Sequence, residues 1–167
     1  MSAPHWRPAF VGVGSNLDAP EQQVNQAIVA LADLPGSILV SQSALYRSSP
    51  MGPSDQPDFI NAVVAVLTQV EPQELLRQMQ AIERKQGRKR DGERWGPRTL
   101  DLDLLAYSSV IINEDSLTVP HPGIAERNFV LLPWQEIAPN FVVPGLPDVA
   151  AMAANISTTE PRIERII

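Results

Sequence analysis

The stretch RWGPRTLDLDLL, Arg94–Leu105, decides how this chain is read. Thr99–Tyr107 has the length and alternation of a strand. Successive side chains on a strand point to opposite faces, so Leu100, Leu102 and Leu104 share one face and Asp101 and Asp103 the other. The leucines should face helices. The two aspartate Cα atoms should stand about 6.6 Å apart. A solvated sheet face tolerates such a pair. A hard-cation site is the sharper reading, because Mg²⁺ is held by one or two carboxylates while water and phosphate oxygens complete its octahedron. The same spacing suits two metal ions bridged by phosphate. Arg88, Arg90, Arg94 and Arg98 sit just upstream, and guanidinium groups offer bidentate donors to phosphate. Acid pair and basic loop together describe a Mg–nucleotide site better than either does alone.

The rest of the chain sets bounds on that reading. It has 167 residues, 44% hydrophobic and 19% charged, enough for one domain with a real core. Net charge is −6, which argues against general nucleic-acid affinity, yet seven of the 13 Lys+Arg lie between Arg84 and Arg98. That asymmetry suggests a local anion site, although for a charge run taken alone a solvated loop is the favoured reading. With no cysteine there is no disulfide scaffold and no thiolate metal site, which fits a reducing cytoplasm. The opening MSAPHWRPAF has no apolar signal core, and no apolar run approaches the roughly 20 residues that span a bilayer.

Periodicity gives the element order. Ala9–Gly14 reads as a strand, and Pro20 opens a helix with Val24, Ala27, Ile28 and Leu31 inward. Ser37–Arg47 reads as one strand, Ser48–Asp58 as a long loop and Phe59–Thr68 as a central strand. Glu71-Pro72 opens a second helix with Leu75, Leu76, Met79 and Ile82 inward, and Gly87 stops it. The order β-α-β-β-α-β predicts an α+β sandwich, with helices packed on one face of a mainly antiparallel sheet. Asn128–Ile137 reads as helical although Pro133 interrupts its pattern; Pro147–Asn155 reads as a short helix, and the tail beyond Ser157 carries no signal.

VGVGSN follows a strand but matches neither GxGxxG nor a Walker A loop, so Gly12 and Gly14 read as close-packing glycines. His121 in TVPHPG is a phosphate donor or a structural turn residue. Phe59, Trp95 and Phe129 stand at loop edges, packed in the core or sandwiching a flat heteroaromatic ring.

Four segments, taken together, resemble one family. RWGPRTLDLDLL, VGVGSN, YRSSPMGPSDQPDFINA and TVPHPGIAERNFVLLPWQEIAP match, in order and spacing, the 6-hydroxymethyl-7,8-dihydropterin pyrophosphokinases of folate biosynthesis. The resemblance covers roughly residues 9–145 of a single domain, 1–167. It implies a ferredoxin-like βαββαβ sandwich with extra C-terminal elements. It also implies transfer of the ATP pyrophosphoryl group to the pterin hydroxymethyl, with release of AMP. Two Mg²⁺ ions would serve as cofactors, held by Asp101 and Asp103. Arg88 and Arg98 would contact the phosphates, and Gln80, Glu83, Arg90, Leu104, Thr118, His121 and Arg127 would line the nucleotide site. Asn61 and backbone groups of Ser48, Ser49 and Met51 would read the pterin edge, between Phe59 and Phe129 and under Trp95. ATP and the pterin are then the partners of an expected cytoplasmic monomer, with no nucleic acid or membrane.

Some positions depart from the family pattern. Phe59 stands where some members carry tyrosine, Ser49 and Ser116 where some carry proline and a basic residue, and Asp18 where glycine is common. Two rivals remain at the level of sequence. An RNA-binding ferredoxin-like domain lacks an aromatic recognition motif. A Mg-dependent nucleotide hydrolase would turn over ATP without pterin.

Overall fold

A computed structural model describes residues 5–50, 55–87 and 100–166. Along the chain run β1 (Arg7–Ser15), α1 (Pro20–Ala32), β2 (Ser37–Gln42), β3 (Tyr46–Ser48), β4 (Phe59–Thr68), α2 (Pro72–Lys85) and β5 (Asp101–Tyr107). There follow β6 (Ile112–Asn113), β7 (Thr118–Val119), a 3-10 turn (Ile124–Glu126), α3 (Asn128–Ile137), α4 (Val149–Ala154) and β8 (Ile163–Arg165). The main sheet has the order β5-β1-β4-β3-β8, with β2 also on β4, and each of its pairings is antiparallel. β6 and β7 form a separate ribbon.

Strand alternation divides the core into two layers. Ala9, Val11 and Val13 of β1, Ile60, Ala62 and Val64 of β4, and Leu102 and Leu104 of β5 face α1 and α2. Those helices answer with Val24, Ala27, Ile28 and Leu31, and with Leu75, Met79 and Ile82. Each fully buried leucine contributes about 1.5–3 kcal/mol to folding. The opposite face carries Phe10, Val63 and Leu105 against Val130, Leu131 and Trp134 of α3 and Val149 and Met152 of α4. Phe10 lies between two aromatic partners, 5.2 Å from Trp134 and 4.7 Å from Phe141. The βαββαβ unit thus has both of its helices on one face, as expected, and the C-terminal helices cover part of the other.

The stretch 37–47 is two strands rather than one. A register shift between Leu39 and Ser41 twists β2 away. Ser43 then takes over Val63: its hydroxyl accepts the Val63 N–H at 3.0 Å and its own N–H donates to the Val63 carbonyl at 2.9 Å. The ten residues of β4 are long enough to seat β2 and β3 end to end. Helix α3 runs through Pro133, which is buried. Asp18 has φ 56°, the left-handed region where glycine is at ease and aspartate is better tolerated than most residues. Among the described residues, no helix is long and apolar enough to cross a membrane.

Candidate active site

One strip of the α3/α4 face is not covered by those helices' core, and the sheet register fills it with chosen residues. Asp101 on β5 pairs with Gly14 on β1, which pairs with Asn61 on β4, which pairs with Tyr46 on β3. One step along, Asp103 pairs with Gly12 and Gly12 with Val63. Asp101 and Asp103 therefore share a face, both half-buried, while Leu100, Leu102 and Leu104 point into the helix layer. Strands lie about 4.8 Å apart, so roughly 10 Å of sheet separates the carboxylates from Asn61. The intervening floor is Gly12 and Gly14, which carry no side chain. A Cβ at Gly14 would lie 3.2 Å from Asn61 Oδ1, closer than most real contacts.

Asn61 is buried and fixed: its amide donates to the Ser48 hydroxyl at 2.8 Å. Phe59 pairs with Ser48 two residues earlier on the same face. The Ser49 N–H is already engaged, donating to the Arg162 carbonyl at 2.9 Å. The far end of this loop is pinned by the GSN segment, where Asn16 donates to Gln56 Oε1 and to the Pro57 carbonyl, each at 2.9 Å.

At the other end, His121 is anchored by its own N–H, which donates to the Leu105 carbonyl at 2.9 Å. Its Nδ1 accepts from the Gly123 N–H at 3.2 Å. A neutral imidazole so bonded carries its proton on Nε2, the nitrogen 3.7 Å from Asp103 Oδ1. Arg127 Nη1 lies 3.9 Å from Asp103 Oδ2, and its guanidinium carbon 5.9 Å from the centre of the Phe129 ring. His121 and Arg127 are thus gathered beside Asp103, and Phe129 lies beyond the Arg127 guanidinium.

Other expected residues are placed differently. The side chain of Leu104 lies in the helix layer, so only its backbone faces the aspartates' surroundings. Thr118 is exposed on β7, and Gln80 is half-buried on α2. Glu83 is buried and accepts the Leu102 N–H at 2.8 Å, which fixes the residue between the two aspartates. Met51, Arg88, Arg90, Trp95 and Arg98 lie outside the described residues.

A polar knot beneath the strip has no counterpart in the sequence reading. Glu136 on α3 accepts from the Tyr46 hydroxyl at 2.5 Å and the Ala44 N–H at 2.8 Å, and Arg165 stands 3.4 Å away. Burial raises the Glu136 carboxyl, but the Tyr46 and Ala44 hydrogen bonds and Arg165 outweigh it and hold the group below the usual range. Burial, then the Glu136 hydrogen bond and charge, push the Tyr46 phenol up to about 12.

The donor set fits a hard cation. Among the described residues no group of three His, Asp or Glu forms a protein-only metal cluster; a hard cation held by one or two carboxylates takes its remaining ligands from water and phosphate oxygens.

The family model described as 7,8-dihydro-6-hydroxymethylpterin-pyrophosphokinase (HPPK) matches residues 10–139. The 2-amino-4-hydroxy-6-hydroxymethyldihydropteridine pyrophosphokinase of Haemophilus influenzae is 46% identical over 136 residues, 81% of this chain and 84% of that protein. The protein of the same name from Pseudomonas aeruginosa is 46% identical over 145 residues, 85% of this chain and 89% of its own. Among solved structures, a double mutant of Plasmodium falciparum HPPK-DHPS with pterin and p-hydroxybenzoate aligns with a TM-score of 0.74 at 13% identity. That alignment covers 97% of this chain and 47% of the Plasmodium chain, and at such identity the likeness is one of fold.

Proposed function

Because this chain belongs to the 6-hydroxymethyl-7,8-dihydropterin pyrophosphokinase family, which passes pyrophosphate from ATP to hydroxymethyldihydropterin in folate biosynthesis, we propose that the strip from Asp101 to Asn61 is where the two substrates meet. The observation that carries this is the register itself. Two carboxylates and a fixed carboxamide stand at opposite ends of a side-chain-free floor, with roughly 10 Å of sheet between them.

In this reading Asp101 and Asp103 hold Mg²⁺, two ions in all, and the aspartates' half-burial leaves room for phosphate oxygens. Bound Mg²⁺ neutralises phosphate charge and lowers the pKa of a coordinated hydroxyl. The Nε2 proton of His121 and the guanidinium of Arg127 offer donors beside Asp103, where the non-metallated oxygens would lie. Arg88, Arg90 and Arg98 would approach from the basic loop, with Gln80, Glu83, Leu104 and Thr118 along the nucleotide. Asn61 presents Oδ1 above Gly14 and so reads the pterin edge, with Ser48, Ser49 and Met51 beside it. Phe59, Phe129 and Trp95 enclose the ring. Attack on the β-phosphorus by the pterin hydroxyl then needs little covalent help; positioning and charge neutralisation dominate. We further place the enzyme in the cytoplasm as a monomer, with residues 1–167 forming a single domain.

Calorimetry of a non-hydrolysable ATP analogue with and without Mg²⁺ tests the metal assignment. The parent protein should bind far more tightly with Mg²⁺, and Asp101→Ala and Asp103→Ala should lose that gain. A full Mg²⁺ enhancement in both variants would overturn it.

A further inference from the structure

The family match stops at residue 139, yet the chain continues into a tail whose attachments are selective. Residues 157–160 are exposed, as are Arg162, Glu164 and Arg165. The segment therefore adds little to the core. Its bonds are polar and largely main-chain, and apart from the Arg165–Glu136 ion pair they end on two places.

The first is β3 and the residue after it. β8 pairs Ile163 with Ser48, Glu164 with Arg47 and Arg165 with Tyr46. Ser49 exchanges two bonds with Arg162, its N–H donating to the carbonyl at 2.9 Å and its hydroxyl accepting the Arg162 N–H at 2.9 Å. The second place is the start of α3. Asn128, fully buried between Arg127 and Phe129 in sequence, donates through Nδ2 to the Ser157 and Pro161 carbonyls, each at 2.8 Å. Two carbonyls facing one amide fix which end of the carboxamide is nitrogen. A bridge between Thr159 and Arg162 closes the turn that joins the two attachments.

We propose that the tail 157–165 is a brace for the pterin slot, and that Asn128 is a positioning residue acting through it. In the proposed slot one wall is Ser48–Ser49 and the other is Phe129. They come from distant parts of the chain, and the tail is bonded to both. The short turn ties the end of β3 to the start of α3, beyond the Tyr46–Glu136 bond that joins the same two elements further along. This rests on the assignment of the pterin to the Asn61 end of the strip.

The stringent variant is Asn128→Asp. It keeps the shape and turns the donor into an acceptor facing two carbonyl oxygens. A chain ending at Ile156 removes the brace altogether, and Asn61→Ala tests the slot independently. The readouts are the pterin Kd in the presence of Mg²⁺ and the non-hydrolysable ATP analogue, the Kd of that analogue, KM and kcat, and the melting temperature. Asn128→Asp should raise the pterin Kd and KM by about tenfold, the scale of one lost hydrogen bond, with analogue affinity and kcat within about twofold. The truncated chain should show the same selectivity. Faster exchange of the Ser49 amide in Asn128→Asp should accompany the loss. Pterin affinity unchanged in both tail variants, or pterin and nucleotide affinity falling together with the melting temperature, would overturn the brace. If Asn61→Ala weakens pterin binding and the tail variants do not, the brace alone is wrong. If Asn61→Ala also leaves it unchanged, the slot is misplaced and the brace falls with it.

Discussion

Gly14→Ala should separate stability from substrate recognition. Gly14 lies within β1 without a positive φ, so its backbone accepts alanine. Glycine inside a strand costs roughly 0.5–1 kcal/mol relative to alanine, and a domain of this size gains about 2–4 °C of melting temperature per kcal/mol. On stability alone the variant should be neutral or up to about 4 °C better. The new methyl would lie 3.2 Å from Asn61 Oδ1 and 3.9 Å from the Ile60 carbonyl. The amide must give by a few tenths of an ångström. It is buried and tethered to the Ser48 hydroxyl at 2.8 Å, so it moves only by weakening that bond or its bond to a ligand. One hydrogen bond has a net worth of about 0.5–1.5 kcal/mol, which is about a 2- to 13-fold loss of pterin affinity. Gly12→Ala is the comparison: its methyl would meet the Leu105 side chain no closer than 3.5 Å and would leave Asn61 in place. Calorimetry of the pterin with Mg²⁺ and the ATP analogue, beside thermal melts, reads both quantities. Parent-like pterin affinity in Gly14→Ala would refute Asn61 as the reader of the pterin edge. So would a loss no greater than that of Gly12→Ala.

Asp101→Ala and Asp103→Ala should each abolish most turnover while melting near the parent, since both side chains are half-exposed; steady-state AMP release checks this. Arg88→Ala and Arg98→Ala should each cost about 10²–10³ in rate, as lost donors to developing charge do, whereas Lys89→Ala should do little. Equal losses for all three would mean a diffuse charge field. Tyr46 has its folded pKa raised to about 12, so its contribution is complete below its ordinary value of 10.0 and is lost as pH rises through about 12. Denaturation midpoints should fall across that window in the parent and less so in Tyr46→Phe. Glu136 is shifted the other way, so its contribution is present above the ordinary carboxylate value and disappears as pH falls through the lowered one.

Much of this was legible because burial writes a period into the sequence. Phe59–Thr68 has the bounds of β4 and Asn128–Ile137 those of α3, and Val24, Ala27, Ile28 and Leu31 are the buried face of α1. The alternation of LDLDL put the aspartates on the bare face before any register was known. What escaped has no period. The break between β2 and β3 depends on the Ser43 hydroxyl standing in for backbone, which a strand pattern cannot record. β8 is held by main-chain pairing and by ion pairs such as Arg47–Glu164 at 3.3 Å, so three largely exposed residues with no apolar stripe gave no signal. Gly12 and Gly14 looked like packing glycines until the register set them between Asp101, Asp103 and Asn61. Glu83 was expected beside the nucleotide; its bond to the Leu102 N–H is a structural role that only the tertiary fold creates.

The most direct test is AMP formation by the purified protein with Mg²⁺ and ATP, with and without 6-hydroxymethyl-7,8-dihydropterin, run in parallel on Asp103→Ala. The account predicts AMP and pterin diphosphate in equal amounts only when the pterin and Mg²⁺ are both present, and almost none from the variant. Nucleotide turnover that proceeds without pterin, or pterin-dependent AMP release at the parent rate from Asp103→Ala, would contradict it.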